Sequence, residues 1–333
     1  MRLYSFDILK LFTIYTVVWG HCIQHLLHTG PTENPVSLII YSFHMPLFMT
    51  ISGYFSSSSL KYPFIPFIRK KFQQLIYPCL IFGIYFCLMD YLLPSLANKI
   101  TNIGLLDIRY NFWFLKSLFI CYLITYIGRK LFSNDIYMIL FTILCSICIN
   151  RYNIPNLYPC FLLGFFLQKV NDKWLKNITL VTFLSGITFI ILIFFLDRKY
   201  WHYNTFALFT LLKRGISFYS LSDLFRGLFR TYIGLIGSLF FISLFRLLIS
   251  QKDRPIINKL SEYGQYTLNV YILQTIILEI VLANIITLNY TNFYISNILI
   301  IPLIALLVLA ICIFLSLKIN SSHILKNLLA ELI

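Results

Sequence analysis

Long apolar stretches separated by short polar segments extend along almost the whole chain of 333 residues. A helix needs about 20 apolar residues to cross the roughly 30 Å hydrocarbon layer, and the alternation typical of membrane β-strands is not visible. The pattern therefore predicts an all-α polytopic membrane protein with about ten transmembrane helices in one bundle. The predicted spans cover 8–28, 37–55, 73–93, 112–131, 136–150, 155–169, 178–196, 228–249, 266–288 and 295–317.

The composition indicates the same class. Hydrophobic residues make up 59% of the chain, charged residues only 12%, and the mean hydropathy is +0.80, whereas a soluble domain carries roughly 25% charge. The sequence shows no repeat or soluble second domain, so we expect a single integral membrane domain over residues 1–333. The first span is not interpreted as a cleavable signal, because it is too long, is charged and lacks a small-residue cleavage site.

Lysine and arginine residues concentrate in alternate connecting segments. Because cytoplasmic segments are enriched in these residues, both termini are predicted to be cytoplasmic. The exception is 197–227, which is basic although it is predicted to lie outside. Its charge either faces an anionic acceptor, such as a charged or lipid-linked glycan, or lies beside lipid headgroups. The net charge of +15 follows mostly from the cytoplasmic bias and does not indicate nucleic-acid binding.

Two ionisable residues, Lys10 and His21, lie inside the first span with ten residues between them. Such groups are costly at membrane depth and are rarely kept without a partner or a task. Eleven steps of about 100° return almost to the starting direction, about 16 Å along the helix. The two side chains are therefore predicted to share one face at different depths, which suggests a pathway through the membrane.

Purely structural explanations remain open for the ionisable residues of this helix. His21 could be a buried histidine bonded to a backbone carbonyl, and Lys10 could form a neutralising pair with Asp7 at the membrane surface. His25 and His28 follow on roughly the same face and raise a zinc site. No carboxylate or cysteine completes a ligand set there, so we predict no metal.

The second span carries the phrase FHMPLFMTISGYF at 43–55. We expect His44 at the outer end of this span, the side toward which His21 points. We also expect Pro46 near the start of the helix, where its missing N–H costs little. Ser52 and Gly53 are small enough to let a neighbouring helix approach closely.

At these residues the chain resembles membrane-bound acyltransferase family 3, the O-acyltransferases that modify bacterial surface polysaccharides and related glycans. The family's first helix carries a basic residue, ten residues and a histidine, after an F-D-x-x-K/R opening, and its second helix carries a phrase like FHMPLFMTISGYF. Lys10 stands where many relatives have arginine, and Gln274 where many have histidine. Further matches are RKKFQQLIYP at 69–78, FWFLKSLF at 112–119, YPCFLLGFF at 158–166 and GQYTLNVYILQ at 264–274.

The resemblance implies an integral membrane O-acyltransferase, with O-acetyl transfer the expected type, in the bacterial cytoplasmic membrane. It implies acyl-CoA, foremost acetyl-CoA, as the donor substrate, with no bound cofactor. The implied acceptor is a sugar hydroxyl of a cell-surface polysaccharide or its lipid-linked precursor. The expected partners also include the lipid bilayer, whereas partners in glycan assembly are unknown.

The transfer chemistry suggests roles for the candidate residues. An unperturbed histidine has a pKa near neutrality, so His21 suits proton abstraction from the hydroxyl; a covalent acyl-histidine is a variant of this role. Lys10 is expected to hold a donor phosphate or carbonyl, with Asp7 orienting it. Arg69 suits the donor phosphates, although a cytoplasmic anchor explains it equally. Residues expected to line the pore or meet the acceptor are His44, Ser52, Trp113, Tyr271 and Gln274.

Two other classes stay open. A transporter or flippase of glycan intermediates would also have about ten helices and intramembrane charges. Transporters often show paired halves, and no second copy of FHMPLF or of the lysine–histidine pattern is found. A catalytically inactive acyltransferase-like partner protein would carry the same motifs.

Overall fold

The computed structural model of the chain describes residues 3–27, 29–30, 32–92, 112–149, 151–170, 175–201, 220–249, 255–282 and 293–321, with 208, 211–212 and 215. Every regular element in this part of the chain is helical. The α-helices are α1 Tyr4–Leu26, α2 Pro35–Tyr54, α3 Ser56–Ser59, α4 Phe64–Lys71, α5 Tyr77–Leu92, α6 Trp113–Leu131, α7 Asp135–Cys148, α8 Ile154–Lys169, α9 Ile178–Phe194, α10 Leu221–Leu248, α11 Pro255–Tyr263, α12 Thr267–Gln274 and α13 Ile301–Ser321. π-Helical segments cover Phe72–Ile76, Thr275–Leu282 and Ile295–Ile300, and 3₁₀ turns cover Arg198–Tyr200 and Gly264–Tyr266.

Among the described residues, four helical stretches are long and apolar enough to cross a membrane. They are α1, α2, α10 and the continuous stretch Ile295–Ser321. The helices α7 and α9 are apolar but shorter. The prediction of an all-helical membrane protein is confirmed, whereas the number of about ten spans and the position of both termini stay predictions.

Two long helices begin earlier than their apolar patterns predict. α1 starts at Tyr4 rather than at 8, because Asp7 and Lys10 neutralise each other within its first turns, with 3.2 Å between Lys10 Nζ and Asp7 Oδ1. α10 starts at Leu221 rather than at 228. A capping box fixes that start, since the Ser220 hydroxyl accepts from the Asp223 N–H and the Asp223 carboxylate accepts from the Ser220 N–H.

α2 starts at Pro35, where the Asn34 side chain caps the first turn by accepting from Val36 N–H and Ser37 N–H. This start corrects two expectations. Pro46 lies inside the helix rather than near its start, and His44 lies at mid-helix rather than at one end. A proline inside a helix removes one backbone hydrogen bond. Its ring fills the space above Gly234 of α10, where a Cβ would lie only 2.7 Å from Pro46 Cγ.

Glycines bring α2 and α8 into backbone contact. A Cβ at Gly53 would lie 2.0 Å from the Phe161 carbonyl oxygen, and one at Gly164 would lie 1.8 Å from the Thr50 carbonyl oxygen. Neither position can hold a side chain without separating the helices, which confirms the close approach expected at Gly53. α2 therefore lies at the centre of the fold, between α1, α8 and α10.

The direction of each helix follows from paired contacts along α2. α1 is antiparallel to α2, since the rings of Phe6 and Tyr54 stack 4.4 Å apart while Gly20 meets Tyr41. α10 is parallel to α2, because Gly234 meets Pro46 and Arg246 donates to Tyr54 Oη at 3.0 Å. We call the end of the bundle that contains Lys10 and Tyr54 the lysine end, and the end that contains His21 the histidine end.

The segment before α12 closes against the start of α1. A Cβ at Gly264 would lie 1.9 Å from the Asp7 carbonyl oxygen, so only glycine fits at this crossing. The contact holds the 3₁₀ turn Gly264–Tyr266 against the turn of α1 that carries Lys10. α12 then runs from the lysine end along α1.

Candidate active site

A cavity of about 400 Å³ opens between α1, α2, α6, α12 and the π-helical segment after α4. Clefts of this size are typical of small-molecule sites. Its wall is mainly apolar, with a few polar side chains converging from different helices. The lining residues are Lys10, Ile14, Met45, Phe48, Ser52, Gln74, Leu75, Phe114, Leu115, Leu118, Gln265, Thr267, Leu268 and Tyr271.

Three of the residues predicted from sequence meet in this cavity: Lys10, Ser52 and Tyr271. Lys10 is held from two sides, since its Nζ bonds Asp7 Oδ1 at 3.2 Å and lies 5.0 Å from the centre of the Phe55 ring. The aromatic contact and the carboxylate both stabilise the cation. A held cation at the wall of an otherwise apolar cavity is suited to an anionic or strongly dipolar ligand group.

The basic triplet before the third predicted span divides between surface and interior. Arg69 and Lys70 are exposed, whereas Lys71 is only 6% exposed. Lys71 Nζ lies 3.8 Å from the centre of the Tyr122 ring and donates to Gln74 Oε1 at 3.5 Å. Burial lowers the pKa of Lys71 to about 8, and the charge of Lys70 adds to this shift. Since Gln74 lines the cavity, Lys71 places a second cation beside it.

Aromatic rings form part of the cavity wall. Phe114 lies with its ring 6.0 Å from that of Phe48 and 6.3 Å from that of Tyr271. Trp113 packs against Phe114 from outside, 6.2 Å away, and is not among the lining residues of the described chain. The tryptophan therefore supports the wall rather than forming it.

The predicted base lies in a second polar group toward the histidine end. His21 is half-buried and its ring stacks on His25 at 5.9 Å. Tyr41 joins the group from α2, since its ring meets His44 edge-on at 4.8 Å and its hydroxyl donates to Gln24 at 3.3 Å. His21 and His44 lie close enough for their charges to interact. We call His21, Gln24, His25, Tyr41 and His44 the histidine cluster.

The tautomer of His44 follows from its backbone contact. Nδ1 of His44 lies 2.6 Å from the Ile40 carbonyl oxygen. A carbonyl only accepts, so Nδ1 carries the proton and Nε2 is the nitrogen left for an exchangeable proton. His44 is 2% exposed, so this arrangement is fixed by the surrounding helices.

The cavity and the histidine cluster are arranged one above the other along α1. The helix is unbroken from Tyr4 to Leu26, which confirms that Lys10 and His21 share one face about 16 Å apart. Ile14 is the last residue of α1 on the cavity wall, and His21 follows two turns later. A ligand that enters beside Lys10 therefore has to extend past Ile14 to bring a reactive group to His21.

Gln274 is buried but lies away from the described cavity wall. Its Nε2 has only long contacts, 3.5 Å to the Tyr271 carbonyl oxygen and 3.4 Å to Thr275 Oγ1. Within the described part of the chain its Oε1 has no hydrogen-bond partner. It is the last residue of α12 before the π-helical segment Thr275–Leu282.

The described residues contain no group of three or more His, Cys, Asp or Glu arranged to hold a metal ion. His28, which the sequence brings into a zinc hypothesis, lies outside the described residues. The described side chains around the cavity and the histidine cluster offer acid–base groups and two cations.

The family profile of the acyltransferase domain called acyltransferase 3 matches residues 3–317, nearly the whole chain. The chain belongs to acyltransferase family 3. Two curated proteins, both nodulation protein NolL, are similar to this family member. The one from Mesorhizobium japonicum is 34% identical over 131 residues, 36% of this chain and 34% of the relative. The one from Sinorhizobium fredii is 31% identical over 188 residues, 51% of this chain and 50% of the relative.

The matched parts therefore span a third to a half of the length of these relatives. No solved structure matches the chain.

Sequence reasoning missed several residues that the structure places at the site of this acyltransferase family 3 protein. Gln74 and Gln265 line the cavity, and beside it lies Lys71, which the sequence did not distinguish from the other two cations of its triplet. The spacing of three between Lys71 and Gln74 was the available signal, because residues three apart share a helix face. Arg230 is a further omission. It is charged, it lies inside an apolar span, and it is close enough to His44 for their charges to interact.

Proposed function

We propose that this protein is an integral membrane O-acyltransferase of the bacterial cytoplasmic membrane. It transfers an acyl group, acetyl in the first instance, from acyl-CoA to a sugar hydroxyl of a surface polysaccharide or its lipid-linked precursor. The observation that supports this most strongly is the order of groups along α1, with a cation at a cavity and a histidine cluster beyond it. Membership of acyltransferase family 3 supports the reaction class.

The lysine end is proposed as the donor side. Phosphate groups favour clustered cations, and Lys10 and Lys71 approach the cavity from different helices. Arg69 is exposed next to them and suits the outer phosphates of the nucleotide. In this arrangement the thioester arm extends along the apolar wall past Ile14, with Ser52 and Tyr271 as its polar neighbours. The apolar wall excludes water that would hydrolyse the thioester.

The histidine end is proposed as the acceptor side. His21 takes the proton of the sugar hydroxyl as its oxygen attacks the thioester carbonyl carbon. The C–S bond then breaks, and the proton held by His21 passes to the leaving thiolate of coenzyme A. His44 and His25 are the neighbouring groups that hold or share this proton. Orientation with the lysine end in the cytoplasm agrees with the cytoplasmic source of acyl-CoA.

The test is the replacement of His21 in a strain that lacks the gene. Wild type, His21→Gln and the matched control His25→Gln are expressed at equal levels, and the O-acyl content of isolated surface glycans is measured by mass spectrometry. Loss of a general base lowers transfer by about 10²–10⁴-fold, so His21→Gln should leave glycans unacylated. We expect a smaller loss in His25→Gln. Retained acylation in His21→Gln would remove the base assignment.

The same strains separate transfer from transport. A flippase would lower the amount of exported glycan and leave the acyl content of each repeat unit unchanged. The proposed reaction predicts the reverse, with normal export of glycan that lacks acyl groups. Loss of export with normal acylation would therefore overturn the proposed function.

A further inference from the structure

Arg230 lies on the face of α10 that contacts α2. It is four residues before Gly234, which packs on Pro46, and residues four apart share a helix face. Its neighbour Thr231 donates to Asn156 Oδ1 at 3.1 Å, where α8 begins. Since α10 runs parallel to α2, Arg230 lies toward the histidine end. It is half-buried and close enough to His44 for their charges to interact.

Three other arginines on the described helices have an oxygen partner in the protein. Arg226 lies 4.0 Å from Asp223, and Arg129 lies 2.7 Å from Asp135. Arg246 donates to Tyr54 Oη at 3.0 Å. Arg230 has no hydrogen bond or ion pair with any described residue, and its guanidinium lies 5.3 Å from the centre of the Trp201 ring.

Few acidic residues near Arg230 in the sequence could neutralise its charge. Between 197 and 230 there are six lysines and arginines against two aspartates. Asp197 lies beside Lys199, and Asp223 lies beside Arg226. The segment from 202 to 219 contains no acidic residue at all. An arginine in a helix that crosses the membrane is costly unless an anion or a water-filled space meets it.

We propose that Arg230 binds an anionic group of the acceptor and so places the sugar hydroxyl at the histidine cluster. The inference rests on the proposed function and adds the acceptor's chemical class, which is an anionic glycan. The charge comes either from a carboxylate on the sugar chain or from the diphosphate of a lipid-linked precursor. Both present the paired oxygens that the planar guanidinium binds in a bidentate manner.

Trp201 gives this site a fixed shape. Its ring lies over the guanidinium, which restricts the plane of Arg230 and leaves the N–H edge for a ligand. Tyr200 stacks on Phe229 at 4.2 Å, so the segment that carries Trp201 is itself attached to α10. An arginine held in this way loses little freedom when a ligand binds.

The test assays variants of the protein against modified forms of the acceptor glycan. Purified wild type, Arg230→Gln, Arg230→Lys and the control Arg226→Gln are assayed with radiolabelled acetyl-CoA and glycan from the strain that lacks the gene. The glycan is used in three forms. The first is untreated, the second has its carboxylates reduced to alcohols, and the third has its lipid diphosphate removed by mild acid.

With untreated glycan, Arg230→Gln should raise the acceptor KM by about tenfold or more, the usual effect of losing a charged hydrogen-bond pair. Its kcat and its KM for acetyl-CoA should change less than about threefold, and Arg230→Lys should restore part of the affinity. A purely structural role for Arg230 would instead lower kcat and the unfolding temperature. Arg226→Gln should match wild type throughout.

The modified glycans identify the source of the charge. If Arg230 binds a carboxylate, wild type and Arg230→Gln become equal on the reduced glycan alone. If it binds the diphosphate, they become equal on the acid-treated glycan alone. Equal KM values on untreated glycan, or a difference that persists on both modified forms, overturns the inference. Absence of transfer by the wild-type protein to any form would overturn the proposed function and the inference with it.

Discussion

Lys71 gives the proposed donor site a pH dependence that can be measured. Burial lowers its pKa to about 8, compared with about 10.4 for an exposed lysine. A group with this pKa is about 90% charged at pH 7 and about 10% charged at pH 9. If the charged form holds the donor phosphates, the KM for acetyl-CoA should rise about tenfold between these two pH values, because the binding-competent fraction falls by that factor.

The assay is the initial rate of acetyl transfer by purified protein at several donor concentrations from pH 6.5 to 9.5. Lys71→Arg should keep a nearly constant donor KM over this range, since arginine stays protonated throughout. Lys71→Gln should have a raised KM at pH 7 that does not rise further. The matched control is Lys70→Gln, which changes the exposed neighbour and should keep the wild-type profile. A flat wild-type profile, or an equal rise in Lys71→Arg, would refute the reasoning.

Lys71 also makes the free energy of unfolding depend on pH, in a direction that follows from its lowered pKa. Because the pKa of Lys71 is lower in the folded protein than in the unfolded chain, the unfolded chain binds this proton more tightly. Its contribution to the free energy of unfolding therefore rises as the pH increases from about 8 to about 10.5. Lys71→Arg removes this rise, which a comparison of thermal unfolding in detergent would detect.

Two glycine substitutions test the packing around the site. Gly164→Ala places a Cβ 1.8 Å from the Thr50 carbonyl oxygen and should lower the free energy of unfolding by about 1–3 kcal/mol, the usual cost of overpacking. In the control Gly20→Ala the nearest atom is a Tyr41 ring carbon 3.1 Å away, so thermal unfolding should show a smaller loss of stability. Equal losses in the two variants would contradict the backbone-contact argument. Gly264→Ala pushes on Asp7 and should raise the KM for acetyl-CoA by displacing the turn that carries Lys10, and an unchanged donor KM would show that this crossing does not position the lysine.

The helical character and the shared face of Lys10 and His21 could be predicted because both follow from periodicity within one segment. The first residue of each helix was harder to predict from the sequence. Hydropathy alone places the start of α1 after Asp7, whereas Asp7 and Lys10 neutralise each other inside the helix. The position of Pro46 illustrates the same difficulty. Nothing local reveals that Gly234, almost two hundred residues later, provides the space for its ring.

The residues that line the cavity were harder to predict than the presence of a pathway between the helices. Ser52 and Tyr271 belong to recognisable phrases, but Gln74 and Gln265 look like ordinary polar residues near helix ends. Within a basic triplet, each residue turns by about 100° around the helix. Sequence alone cannot tell which of the three cations faces the protein, and the contact between Lys71 and Tyr122 settles this only in three dimensions.

The close packing of α2 also bears on how the protein assembles during synthesis. α2 ends at Tyr54, and α8, whose backbone it contacts, begins at Ile154, 100 residues later. At a synthesis rate of about 5–20 residues per second, α2 precedes α8 by about 5–20 s. During that interval the face that carries Gly53 meets lipid or a chaperone instead of its final neighbour. Ribosome pausing between these helices should therefore expose a half-built bundle to the membrane proteases that survey new proteins.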